Sequence, residues 1–212
     1  MKTISILLSI FLALPCMAQR KHYTMSIPLI HCIKTTEDGE DEIYLLVIWK
    51  TSYGTVGSIR IPKLDDHLSM NDGNSSKSNV SFGDVLSFDL ASNENIDIFC
   101  AIMEQDDGTQ LQYKKVGKEI LQIAKTTSRF SDIQAETFKK ILARVVSTNH
   151  LSNSDDWVGA FTVFKGSSVQ KTKMNNPNNS GATPDAAVIN GYDTTYEFSG
   201  DGSHYTVTIR IK

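Results

Sequence analysis

Two stretches of this chain, Glu42 to Trp49 and Ile96 to Met103, are apolar at nearly every position. A strand with one wet face alternates apolar and polar residues, whereas an unbroken apolar strand needs cover on both faces. Tyr205 to Ile211 behaves differently and alternates strictly, so it reads as a strand with one packed and one solvated face. With Thr194 to Phe198 and the Ser199-Gly200-Asp201-Gly202 turn it forms a C-terminal hairpin. Strands of both kinds in one chain point to layered sheets.

Further strand character lies at Thr24 to Lys34, Gly57 to Pro62, Val85 to Leu90 and Trp157 to Lys165. Residues 65–81 are polar, carry the turn chemistry Asn71-Asp72-Gly73-Asn74, and read as a surface loop. Residues 166–190 are rich in Asn, Ser, Gly and Pro and read as a long loop. Between the strands, Lys114 to Lys125 and Asp132 to Val146 place apolar residues at helical spacing, from Val116, Ile120 and Ala124 to Ile133, Ile141 and Val145. Ser131 and Gln134 have the spacing of a capping box at the second of these. No repeat period is visible. The expected architecture is one antiparallel β-sandwich domain spanning 19–212, interrupted by a helical hairpin at about 114–147.

The N-terminus carries an address. Lys2 precedes a short apolar run, Ile4 to Leu14, and Cys16-Met17-Ala18 offers small residues where a signal peptidase cuts. The run is too short to cross a bilayer, so residues 1–18 read as a cleaved secretory signal and the mature protein as secreted or periplasmic. Pro15, standing before Cys16, argues against lipid attachment there. A formal net charge of -3 without a basic stripe argues against nucleic acid as partner. The pairs Lys114-Lys115 and Lys139-Lys140 fall in helix-like segments and read as solvated helix faces. Cys32 and Cys100 both lie in apolar runs, which suits two buried thiols, while an oxidising compartment leaves a bridge between them open.

Three acidic clusters sit where strands begin or end: Glu37, Asp38 and Asp41; Glu104, Asp106 and Asp107; Asp155 and Asp156. Each alone suits a solvated turn. Brought together they would repel one another unless a cation joined them, and calcium takes six to eight oxygens from such loops. The junction Asp41-Glu42-Ile43-Tyr44-Leu45-Leu46-Val47, the pair Glu104-Gln105-Asp106 after a strand, and Asp156-Trp157-Val158-Gly159 resemble the calcium- and phospholipid-binding sandwich family typified by synaptotagmin. In that family the first calcium loop ends in Asp and runs into a strand with an aromatic residue. A later strand there ends in acidic residues two apart, and the last loop reaches an Asp three residues before a glycine. The resemblance implies Asp41, Glu104, Asp106 and Asp156 as calcium ligands, with Asp38 a fifth. The family's first loop-one aspartate has no direct match, which leaves Thr35 or Asp38 to stand in for it.

Other chemistries find less support. His22, His31, His67, His150 and His204 share no zinc-binding spacing, no Gly-x-Ser-x-Gly elbow exists, and no glycine-rich phosphate loop follows a strand. The apolar settings of Cys32 and Cys100 raise thiol pKa values, against thiol catalysis. The expected function is therefore a non-enzymatic, exported calcium-binding module, its calcium held by loops at one end. Two rivals stand beside it: a glycan-binding or adhesion sandwich using aromatics such as Trp49, Tyr53, Trp157 and Tyr192, and a hydrolase using the carboxylate pair Glu104 and Asp156. An extracellular glycan or protein is the expected partner, and membrane docking is not expected in the absence of a basic patch.

Overall fold

The computed structural model describes residues 19–36, 39–63, 66–73, 76–105, 110–127, 157–165, 188–189, 193–200 and 202–212. They form two packed antiparallel sheets, a β-sandwich. The strands are β1 (Lys21–Lys34), β2 (Asp41–Thr51), β3 (Val56–Ile61), β4 (Leu68–Met70), β5 (Asn79–Leu90), β6 (Ile96–Glu104), β7 (Trp157–Lys165), β8 (Val188–Ile189), β9 (Asp193–Gly200) and β10 (Ser203–Ile211). A helix, α1 (Gln110–Thr126), lies between β6 and β7. One sheet has the order β5-β1-β10-β9-β8, and the other β3-β2-β6-β7, with β4 pairing β2 beside β3.

The doubly apolar strands behave as their composition demands. In β2, Ile43, Leu45 and Val47 point between the sheets and join Ile98, Cys100 and Ile102 of β6. Opposite them come Met25, Ile27 and Ile30 of β1 and Tyr205, Val207 and Ile209 of β10. The alternate residues Tyr44, Leu46 and Ile48, with Phe99, Ala101 and Met103, form a second core on the outside of the same sheet, where Ile120 and Ala124 of α1 pack on them. The helix thus supplies the second layer of cover that β2 and β6 require. Lys50 fixes the helix end by donating from Nζ to the carbonyls of Lys125 and Thr127, which satisfies carbonyls left over at a helix C-terminus.

Two strand features follow from local chemistry. Proline removes a ladder donor and is normally kept out of central strands. Pro28 sits in β1, a central strand, but both ladders of β1 skip a residue there, so the proline occupies a bulge on each side. On the edge strand β5, the partners of Met25, Ser26 and Ile27 are Leu86, Asp84 and Phe82, which leaves Val85 and Gly83 bulged out. Two successive bulges twist an otherwise open edge away from further pairing.

The segment 65–81, expected as loop throughout, contains β4, and β5 begins at Asn79 well before the expected Val85. The polar residues Asn79, Ser81 and Asp84 mask a strand whose inward contacts come from Val80, Phe82 and Leu86. Within 166–190, Val188–Ile189 form the short strand β8. Of the expected helical hairpin, the first helix is α1, while the second, at 132–146, lies outside the described residues. The expected signal segment at 1–18 also lies outside them. Cys32 and Cys100 are free, buried thiols, and burial pushes Cys32 up to about 11 and Cys100 further.

Candidate functional site

The C-terminal end of β1, the start of β2, the end of β6 and the start of β10 meet at one end of the sandwich. The inward side of β2 begins with Asp41, and the inward side of β6 ends with Glu104, paired across the ladder with Ile43. The period-two alternation that buries Ile43 and Ile102 therefore also buries both carboxylates, at 1% and 4% exposure. Burying a carboxylate is costly unless hydrogen bonds replace its water.

Those replacements are on hand. Tyr205, fully buried in β10, donates its hydroxyl to Asp41 Oδ2 at 2.5 Å, bridging one sheet to the other. The backbone N–H of Thr36 donates to Asp41 Oδ1 at 3.0 Å. The Thr36 hydroxyl lies 3.2 Å from Asp41 Oδ1, and 3.1 and 2.9 Å from the two oxygens of Glu104. A hydroxyl has one proton to give, so Thr36 Oγ1 can donate to only one of these three oxygens at a time. Two buried carboxylates thus converge on one hydroxyl, within the span of two hydrogen bonds. Burial, then the hydrogen bond and charge of Asp41, hold the Tyr205 hydroxyl far above its usual range, so it stays a donor. Cys32 stands opposite Tyr205 in the ladder.

On the other face of this sheet end, Arg60 is also buried, with its guanidinium 4.2 Å from the centre of the Tyr44 ring. It donates to the carbonyls of Pro62, Lys63 and Asp66 and to the side chain of Gln105, fastening the chain after β3 to the end of β6.

Of the five expected ligands, Asp41 and Glu104 come together, while Asp38, Asp106 and Asp156 lie outside the described residues. Among the described residues, Thr36 of the first loop touches both carboxylates; Asp38 lies outside the described stretches. Thr36 and Tyr205 were not foreseen from the sequence. An inward tyrosine in an alternating strand was the available signal, since a buried phenol needs a polar partner. The donor set Asp41, Glu104 and Thr36 is all hard oxygen, which is the chemistry calcium requires, but three residues cannot fill six to eight positions. Among the described residues, no group of three or more His, Cys, Asp and Glu is arranged to hold a metal ion.

The histidines are dispersed. His22 meets Asp89 at 2.8 Å, His67 meets Glu42 at 3.4 Å, His204 meets Glu197 at 2.5 Å, and His31 contacts Asn79 at 3.0 Å. His150 lies outside the described residues. Of the aromatics considered for stacking, Trp49 is half-buried against Gly57, and Tyr53 is exposed with its hydroxyl donated to Asn93. The Trp157 side chain and Tyr192 lie outside the described residues, as does Asp156 of the carboxylate pair.

No family model matches the chain, and no curated protein does. Among solved structures, it is similar to human group IVD cytosolic phospholipase A2, in complex with methyl gamma-linolenyl fluorophosphonate inhibitor and terbium chloride. Identity is 11%, the TM-score 0.36, and the match covers 92% of this chain and 17% of that one. The chain thus spans about a sixth of the length of that enzyme.

Proposed function

We propose that this chain is an exported, non-enzymatic β-sandwich module that holds calcium between loops at the end where Asp41 and Glu104 meet. One observation carries the reading: two nearly inaccessible carboxylates share a single hydroxyl, Thr36. Like charges at that separation repel in a weakly screened setting, and a divalent cation beside them removes the repulsion. Gln105 and Trp157, the described neighbours of Asp106 and Asp156 in the chain, lie at this same end: Gln105 N–H donates to Glu42, and Trp157 pairs with Met103. The three remaining carboxylates in the expected set would supply the oxygens that Asp41, Glu104 and Thr36 lack.

Thermal melting with calcium and with chelator tests this. A site of Kd on the order of 10⁻⁴–10⁻³ M, in ~10 mM calcium, gains about 1.4–2.7 kcal/mol. For a chain of this size that corresponds to a rise in Tm of roughly 3–10 °C. The rise should vanish in Glu104→Gln, which keeps the shape and removes the charge. Equal melts in calcium and in chelator would contradict the proposal.

A second reading has its own observation. Both oxygens of Asp41 already accept hydrogen bonds, one of them from the opposite sheet. On that reading the cluster is a clasp that closes the sandwich end without metal. It predicts calcium-independent melting together with strong destabilisation by Tyr205→Phe.

A further inference from the structure

The described part of α1 carries four lysines, Lys114, Lys115, Lys118 and Lys125, all exposed. At 100° per residue, Lys114, Lys118 and Lys125 fall within an arc of about 40°, and Lys115 lies about 60° to one side. With a rise of 1.5 Å per residue, the row is about 16 Å long. Ile120 and Ala124, which pack on the sheet, lie about 140° and 100° round the helix from the centre of that arc. The lysines therefore run along the outer crest of the molecule. Among the described residues none of the four forms an ion pair, and Glu119, the one acid in α1, sits half-buried on a flank. In a chain of net charge -3 whose sequence shows no basic stripe, folding gathers these spaced lysines into a concentrated positive line.

We propose that the outer crest of α1 is a docking surface for a linear polyanionic polysaccharide, sulfated or carboxylated. Four features select that partner. A crest cannot enclose a small anion, so the ligand must be extended and carry several charges. The charges form a row, which complements a charged chain laid along the helix axis. The row is made of lysines alone, point charges on flexible stems, with neither an arginine fork for bidentate phosphate contact nor an aromatic for base stacking among its exposed members Lys114 to Lys125. The apolar side of the helix is spent on the sheet, so nothing on the crest would insert into a lipid layer. This surface does not depend on the carboxylate cluster, and its test is run in chelator so that the two readings fail separately.

The experiment measures binding of the whole protein to heparin and to polygalacturonate by biolayer interferometry, with a single-stranded oligonucleotide and vesicles containing phosphatidylserine as comparisons. Binding should weaken roughly 50-fold between 50 and 200 mM NaCl, as counterion release by three to four charges requires. The triple variant Lys114→Gln, Lys118→Gln, Lys125→Gln keeps good helix formers on the crest and should lose at least about tenfold in affinity. The control Lys21→Gln, Lys34→Gln, Lys63→Gln makes the same change in net charge at exposed lysines elsewhere and should bind as the parent does. Unchanged melting of the crest variant shows that the loss is not unfolding. Absence of polysaccharide binding, equal loss in the control variant, or tighter binding to the oligonucleotide or the vesicles would each overturn the proposal.

Discussion

Replacing Tyr205 with Phe removes one buried oxygen atom at one end of the sandwich and should be felt well beyond its size. The hydroxyl has no access to solvent and donates to Asp41 Oδ2 at 2.5 Å, while Asp41 itself is 1% exposed. Without it, that carboxylate oxygen loses a donor that water cannot replace. Hydrogen bonds to charged groups are worth about 1.5–3 kcal/mol, and a stranded buried acceptor sits at the upper end of that range. For a chain of this size the loss lowers Tm by roughly 3–12 °C. Urea denaturation of the parent, Tyr205→Phe, Asp41→Ala and the double variant, all in chelator, isolates the pair from any metal. The two side chains touch, so the cycle should give a coupling of at least about 1.5 kcal/mol. A coupling under about 0.5 kcal/mol, or a single Tyr205→Phe cost that small, would refute the claim that this bond joins the sheets.

Two more predictions concern packing and the thiols. A Cβ on Gly57 would stand 2.0 Å from Cζ2 of Trp49, whose ring covers the glycine across the β2–β3 ladder, so Gly57→Ala should cost about 1–3 kcal/mol in urea denaturation; a neutral result would show that the ring moves freely. Burial raises Cys32 from an ordinary 9.0 to about 11, so the unfolded chain ionises first and folded stability should decline as pH rises from 9 to 11; Cys32 contributes on the order of 2–3 kcal/mol of that decline, to which the more strongly raised Cys100 adds. Denaturation at pH 8 and pH 11 measures this, Cys32→Ala should reduce the decline by the Cys32 share and leave that of Cys100, and an identical slope in that variant would refute the assignment.

The legible part of the fold was the part governed by one physical pattern. Ile43 to Ile48 and Ile98 to Met103 announced two-sided burial, and Tyr205, Val207 and Ile209 announced one-sided burial. The first half of β5 was not legible, because an edge strand needs few apolar residues and its bulges at Gly83 and Val85 break the alternation. The proline in β1 misled less than it could have, since a bulge takes it out of both ladders. At the site, the family resemblance singled out Asp41 and Glu104 at strand ends, and the fold brings those two together. Their hydrogen-bond partners were hidden for different reasons. Tyr205 lies 164 residues from Asp41 in the chain, and the contact made by Thr36 depends on how the chain turns after β1. Arg60 gave no sign in the sequence, because its burial depends on the Tyr44 ring and on backbone carbonyls of the segment that follows it.

Isothermal titration of calcium into the protein bears most directly on the account. Saturable heat with a Kd on the order of 10⁻⁴–10⁻³ M in the parent, and none in Glu104→Gln, is the predicted outcome. A folded parent that gives no heat with calcium at millimolar concentrations would leave Asp41, Glu104 and Thr36 as a hydrogen-bonded clasp and remove calcium from the account.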